Sequence, residues 1–289
     1  MTAAARDLRA DTALTRDAVV AGRYHADVSD GWKIRAVFGG VSMYTALRAM
    51  AEHLDRAEQP LVTANAIFLA PVPPGPVEID VEVLRDGRTA SQVSADVHVP
   101  GAGPALRVHG VFGRAHDTDR AFQDVVVPEV PRPDQIELPP QSDSPNPFGP
   151  INFHEQTEWR PVSPLDDPGV GRFMSWVRLK QDALLPDGTR DPLVLAVHGD
   201  VLGPAVGRGL GPRENGQPTM VLSLEIGIRF IAKPATPWVL QEIEAWHVGD
   251  GYATGPARLW DEEFRLCAIA TQTAHLRVMR DPPATETRL

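Results

Sequence analysis

The stretch "FGGVSMYTALRAMAEHL", residues 38–54, followed by "NAIFLAPVPPGPVEIDVEVLRDGRTASQVSADVHV", residues 65–99, decides the fold. In the first segment Val41, Tyr44, Leu47, Ala51 and Leu54 recur at steps of three and four, which predicts an amphipathic helix beginning near Gly39 and Gly40. In the second, Val77, Ile79, Val81 and Val83 alternate with Glu78, Asp80 and Glu82, the period of a strand with one wet face. "RDGR" turns the chain, Thr89 to Val99 returns as a second strand, and "ALRVHGVFGRA" (105–115) alternates again. The order is one helix and then a meander of strands.

That order recurs. "FMSWVRLK" (173–180) and "TMVLSLEIGIRFIAKP" (219–234) read as strands, with "HGDVLGPAVGRGL" (198–210) between them as the helical segment. "WVLQEIEAW", "GDGYATGPARLW" and "EFRLCAIATQTAHLRV" supply the closing meander. Landmarks correspond: "IFLAPVPP" with "RFIAKPATP", and "VEVLRDG" with "IEAWHVGDG". Phe38 to Phe68 spans 30 residues, as does Asp200 to Phe230. A proline-dense stretch, "PEVPRPDQIELPPQSDSPNPFGP" (128–150), lacks either period and reads as a surface linker. The expected organisation is therefore residues 1–116, a linker over 117–150, and residues 151–289. One helix followed by a meandering antiparallel sheet, occurring twice, makes an α+β chain that resembles the hotdog fold in its tandem or double form.

Bulk properties narrow the function. The 289 residues carry a formal net charge of −10, which disfavours nucleic acid and anionic membranes as partners. The single cysteine, Cys267, excludes an intrachain disulfide and a cysteine zinc cage. The scattered histidines show no helical zinc spacing, so neither metal nor other cofactor is expected. No apolar run approaches the ~20 residues of a membrane span, and the amino terminus has no signal-peptide core. A cytoplasmic location is the expectation. No G-x-S-x-G elbow supports a serine hydrolase, and "GRGLG" lacks the Lys-Ser/Thr of a phosphate loop.

"VFGG" opening the first helix, "FLAPVPPGP", "EVLRDGRTAS", and then "EWRP" and "FMSWVRLK", resemble acyl-CoA thioesterase II, the TesB-like family. The likeness covers roughly residues 30–115 and 150–280. It implies a double hotdog, an acyl-CoA substrate, and a nucleophilic water held by an Asp, a Thr or Ser, and a Gln of the second half. The matching positions are Asp200, Ser223 and Gln272. Serine stands where the family's best-known member has threonine. Double-hotdog chains often associate further, so a homo-oligomer is in keeping with it.

Each position also has a plainer reading. Asp200, after the apolar strand end "LVLAV", could cap the helix that follows. Gln272 ends the apolar strand face Phe264, Leu266, Ala268, Ala270, so it needs a partner, which backbone alone could supply. Alternation puts Ser223 on a mixed face with Val221, Glu225, Gly227 and Arg229, which adds no support. Gly39 and Gly40 are either ordinary helix-start glycines or a substrate-binding helix N-terminus that a thioester approaches closely. Cys267 reads as a packed small hydrophobe on the opposite strand face from Gln272. The first half offers Gly40, Leu61 and Gly110 opposite Asp200, Ser223 and Gln272, which implies one catalytic set per chain. Two other readings remain: a non-catalytic binder of acyl-CoA or a lipophilic ligand, and a hotdog hydratase or dehydratase. The latter's "G-D-x-N-P-x-H" pattern fails here, since Gly203 replaces Asn and no His follows.

Overall fold

The computed structural model describes residues 5–116, 120, 122–137, 151–163, 169–211 and 219–278. Its helices are α1 (Leu8–Asp11), α2 (Gly39–Leu54), α3 (Asn152–Glu155), α4 (Leu195–Gly199) and α5 (Leu202–Leu210). The first-half strands are β1 (Thr15–Arg16), β2 (Arg23–Val28), β3 (Leu61–Phe68), β4 (Gly75–Arg85), β5 (Ala90–Val99) and β6 (Gly103–Gly113). Those of the second half are β7 (Thr157–Pro161), β8 (Arg172–Leu179), β9 (Thr219–Phe230), β10 (Val239–Glu244), β11 (His247–Gly249), β12 (Tyr252–Asp261) and β13 (Leu266–Val278). They form a single antiparallel sheet in the order β1-β2-β4-β5-β6-β3-β9-β13-β12-β10-β8-β7, with β11 beside β12. The two halves join edge to edge through β3 and β9, from Thr63↔Arg229 to Ile67↔Glu225. That pairing removes the exposed edge each half would otherwise present.

The duplicated helix-and-meander is the double hotdog that the sequence predicts, and the ladders give its offset. Ala64 faces Gly110 in the first half and Ile226 faces Gln272 in the second. In these ladders the second-half residue lies 162 positions after its counterpart, as Phe230 does after Phe68.

Helix α2 lies so deep that the amphipathic reading understates its burial. Ser42 and Thr45 are buried along with Val41, Met43, Tyr44, Leu47 and Met50. Both hydroxyls are satisfied within the helix: Thr45 Oγ1 donates to the Val41 carbonyl at 2.8 Å and Ser42 Oγ to that of Phe38 at 3.5 Å. A helix buried on nearly all sides is the wrapped centre of the first hotdog. Its counterpart is broken in two. "LVLAV", expected to end a strand, is helical instead: Pro192–Val194 form a 3-10 turn that runs into α4. A short apolar run has no period that separates strand from buried helix. Here Pro192 occupies the first helical position and Asp191 accepts the Leu193 N–H at 3.0 Å.

The proline-rich segment does more than connect. Val125, Val130 and Ile136 pack on the outer face of the second-half sheet, against a cluster of Trp176, Trp238, Leu240, Trp260 and Leu266. Trp176 Nε1 donates to the Pro131 carbonyl at 2.9 Å, and Arg132 reaches the Glu262 carbonyl at 2.6 Å. The strap thus builds a second core on the face opposite the helices. Of the expected linker, residues 117–119, 121 and 138–150 lie outside the described residues. Among the described residues, no helix is long and apolar enough to cross a membrane.

Trp176 is fully buried beneath this strap. Its replacement by alanine is expected to cost about 3–5 kcal/mol, read as a lower urea midpoint, and a change under 1 kcal/mol would mean the strap cluster is not part of the stable core.

Candidate active site

Asp200 sits in the break between α4 and α5, at φ −87° and ψ 69°. Its side chain is 7% exposed and caps neither of them. Oδ1 accepts from Ser223 Oγ at 2.6 Å and from Gln272 Nε2 at 2.9 Å, and Oδ2 accepts from the Gly40 N–H at 2.9 Å. The capping expectation therefore holds in kind but for a different helix: Asp200 serves α2 of the other half. No side chain from α2's own N-cap residue, Phe38, does so.

Gln272 is 5% exposed and fully engaged. Its Oε1 accepts the Leu202 N–H at 2.9 Å, and its Nε2 also reaches Ser223 Oγ at 2.7 Å. The Leu202 amide fixes which end of the Gln272 side chain faces Asp200, because only an oxygen can accept there. Asp200, Ser223 and Gln272 are thus brought together into one closed triangle.

Ser223 reaches it through a β-bulge that the sequence does not advertise. Thr273 pairs with Glu225, but Ala274 pairs with Ser223, so Leu224 is the extra residue. Simple alternation groups Ser223 with Glu225, Gly227 and Arg229. The bulge instead returns it to the inner face with Ile226 and Ile228. The first half carries the same bulge: Leu61 pairs with Phe112, Thr63 with Val111, and Val62 is extra. A second irregularity, where Leu259 pairs with Ala268 and Trp260 with Leu266, skips Cys267. It sends Leu266 to the outer cluster and puts Cys267 in the main core with Ala268 and Ala270. Cys267 remains a packed hydrophobe, as expected, but on the core side. Burial pushes its thiol up to about 12.

The two glycines permit the close approach. A Cβ on Gly40 would lie 2.8 Å from Val197 Cα and 2.9 Å from the Ala196 carbonyl oxygen. One on Gly39 would lie 2.5 Å from Asp200 Oδ2 and 3.0 Å from the Phe68 ring. The sequence left these glycines as either helix-start glycines or a substrate-binding N-terminus; the Gly40 N–H donates to Asp200. The missed contributors, Leu202 and Gly40 as backbone donors, leave no side-chain signal in a sequence.

The corresponding place in the first half is apolar. A Cβ on Gly110, the counterpart of Gln272, would meet Met50 Cε at 2.8 Å and Leu61 Cδ1 at 3.1 Å. Leu61, the counterpart of Ser223, fills the space with Met50.

Burial pushes the Asp200 carboxyl above its ordinary range, while hydrogen bonds from Ser223, Gly40 and Gln272 pull it back. The positive end of α2 adds to the donors favouring the ionised form. The neighbouring His198 is driven down to about 4 by burial alone, so it is neutral near pH 7. No histidine is among the hydrogen-bond partners of Asp200, so the Asp–His pair of a hydratase is missing from this site. Among the described residues, no group of three or more His, Cys, Asp or Glu converges to hold a metal.

Gly40→Ala is expected to push α2 from α4 and shift Asp200, since backbone atoms cannot yield. The measurable outcome is a stability loss of about 1–3 kcal/mol together with reduced turnover, and unchanged urea midpoint and turnover would show the contact is not tight.

Comparison with known proteins agrees with this architecture. Residues 28–113 match the model of the acyl-CoA thioesterase N-terminal domain, and residues 132–276 that of the acyl-CoA thioesterase C-terminal domain. No curated protein matches the chain in sequence. Among solved structures, an inferred thioesterase from Novosphingobium aromaticivorans is 28% identical, with a TM-score of 0.72 over 92% of this chain and 98% of that one. A hot dog fold protein of unknown function from Alicyclobacillus acidocaldarius is 21% identical (TM-score 0.79, 94% of this chain and 98% of that one). An acyl-CoA thioesterase II from Mycobacterium marinum is 21% identical (TM-score 0.72, again 94% and 98%). With the two family models covering most of its length, the chain belongs to the acyl-CoA thioesterases and is a thioester hydrolase.

Proposed function

We propose that the protein hydrolyses acyl-CoA to a free carboxylic acid and CoA with a water held by Asp200, Ser223 and Gln272. The observation that carries this reading is the buried Asp200 carboxylate ringed by donors from Ser223, Gln272 and Gly40. Ionised Asp200 orients the water and takes its proton as the water oxygen bonds to the thioester carbon. Ser223 and Gln272 hold that water, exchanging their mutual hydrogen bond for it, and set its line of approach. The N-terminus of α2, beginning at Gly39, is the nearest source of backbone dipole for the oxyanion that develops. Collapse of the tetrahedral species breaks the C–S bond, and the proton on Asp200 passes to the departing thiolate. No covalent acyl-enzyme and no metal takes part.

On this reading the chain has one catalytic set, in residues 151–289. The first half contributes the Gly40 donor and a packed apolar counterpart. A narrow crevice lined by Gly199, Leu202, Ile243, Pro256, Ala270 and Gln272 abuts the set. Its apolar walls suit an acyl chain, which must part them to enter.

The reading is tested with a panel of acyl-CoAs and a thiol reagent. The protein should release thiol from at least one chain-length class, and Gln272→Ala should lower kcat by about 10- to 100-fold. Absence of thiol release across the panel contradicts it. The pH profile gives a second check. Because Asp200 must be ionised, activity should fall on the acid side through a pKa above the usual carboxylate value. Ser223→Ala removes a hydrogen bond that lowers that pKa, so the acid limb should move to higher pH. A limb that stays in place or moves lower removes Asp200 as the titrating base.

A further inference from the structure

Strands β3 and β9 pair only as far as Ile67↔Glu225. β3 ends one residue further on, at Phe68, while β9 extends back to Thr219, so the first residues of β9, Ser223 among them, have no β3 partner. A Cβ on Gly39 would lie 3.0 Å from the Phe68 ring at the end of β3. The loop before α2 reaches the unpaired start of β9. Its tip, Arg35, is exposed and donates to Met220 Sδ at 3.2 Å, so it bridges to the strand that carries Ser223 three residues further on. Three residues of strand span about 10 Å. The loop is pinned from behind: the Phe153 N–H donates to the Lys33 carbonyl at 3.0 Å, Asn152 reaches the Asp30 carbonyl at 3.1 Å, and the Phe38 and Phe153 rings stack at 4.2 Å.

Arg35 also lines a groove of about 430 Å³, together with Ala36, Pro71, Pro73, Val99 and Pro104. That volume lies within the range of small-molecule and cofactor sites. Its walls are mostly apolar and proline-rich, with Arg35 as the one cation among the lining residues. Most arginines of the sheet faces are paired with carboxylates, as Arg23 is with Asp80 and Arg107 with Asp96. Arg35 has only a thioether as partner among the described residues, and a thioether neutralises no charge. A cation at the edge of a groove, with no carboxylate partner among the described residues, suits a phosphate ligand.

We infer that this groove takes the CoA arm of the substrate, with the pantetheine chain running past the end of β3 toward the unpaired start of β9 and Arg35 holding a phosphate group. The inference rests on the thioesterase reading for its ligand, and it names the place where that ligand lies. The acyl end and the CoA end then lie on opposite sides of the Asp200 set. The proline-lined walls need little ordering on binding, which keeps the entropic cost of association low.

Calorimetric titration with free CoA tests the inference without relying on catalysis. The wild-type chain should bind CoA. Arg35→Met, at an exposed position, should weaken binding about ten-fold, the effect of one charge-assisted contact. Ala102→Trp, at the exposed tip of the groove, should weaken it at least as much by filling the space. Pantetheine, which lacks the phosphates, should bind the wild-type chain and Arg35→Met alike. Failure of the wild-type chain to bind CoA, or equal CoA affinity in all three proteins, overturns the inference. Thiol release from acyl-CoA with equal CoA affinity in all three refutes the groove and leaves the hydrolase reading intact. CoA binding lost in both variants, with no thiol release by the wild-type chain, supports the groove and refutes the hydrolytic role of the Asp200 set.

Discussion

The Gly40 N–H and the Asp200 carboxylate meet at 2.9 Å, and the site depends on that contact. A carboxylate this deeply buried is costly unless donors surround it. Two donors come from its own half, Ser223 and Gln272. The third comes from the first turn of the other half's central helix. Without it α2 would begin with an unsatisfied buried amide and Asp200 would face a poorer cage. Gly39 and Gly40 have no side chains because any Cβ there would strike Asp200 Oδ2 or the backbone of α4. The interaction thus links the two hotdogs mechanically as well as electrostatically. The edge-to-edge pairing of β3 with β9 then holds the two helices in register.

Duplication explains why the site looks as it does. The two ladders are offset by a constant interval and carry the same bulge, after Leu61 in one and after Ser223 in the other. The bulge is therefore a property of the shared fold. What differs is chemistry at matched points: Leu61 against Ser223, Gly110 against Gln272. One side closes with methyl and thioether groups from Leu61 and Met50, the other with a polar triangle.

The helix and strand order and the repeat were legible in the sequence because they rest on periodicity and on matched landmarks, whereas the catalytic candidates came from the likeness to a known family. The face of Gln272 was also legible, since it ends an apolar run that stays regular from Ala268 onward. Ser223 was not assignable by alternation, because one extra residue at Leu224 flips the phase and no sequence period marks it. "LVLAV" was misread as strand because five buried apolar residues suit either structure. The strap role of Val125, Val130 and Ile136 was hidden by the prolines around them. The donors Gly40 and Leu202 act through backbone, where residue type carries no signal except the absence of a side chain.

The most direct test of the central claim is the turnover of Asp200→Asn, measured as thiol release from the best acyl-CoA of a panel on protein shown to be folded by circular dichroism. Asparagine keeps the size of the side chain and removes the charge that accepts the water's proton. A loss of about 10²- to 10⁴-fold in kcat, the usual contribution of a general base, is the predicted result. Turnover near that of the wild-type chain would contradict the account and place the chemistry elsewhere.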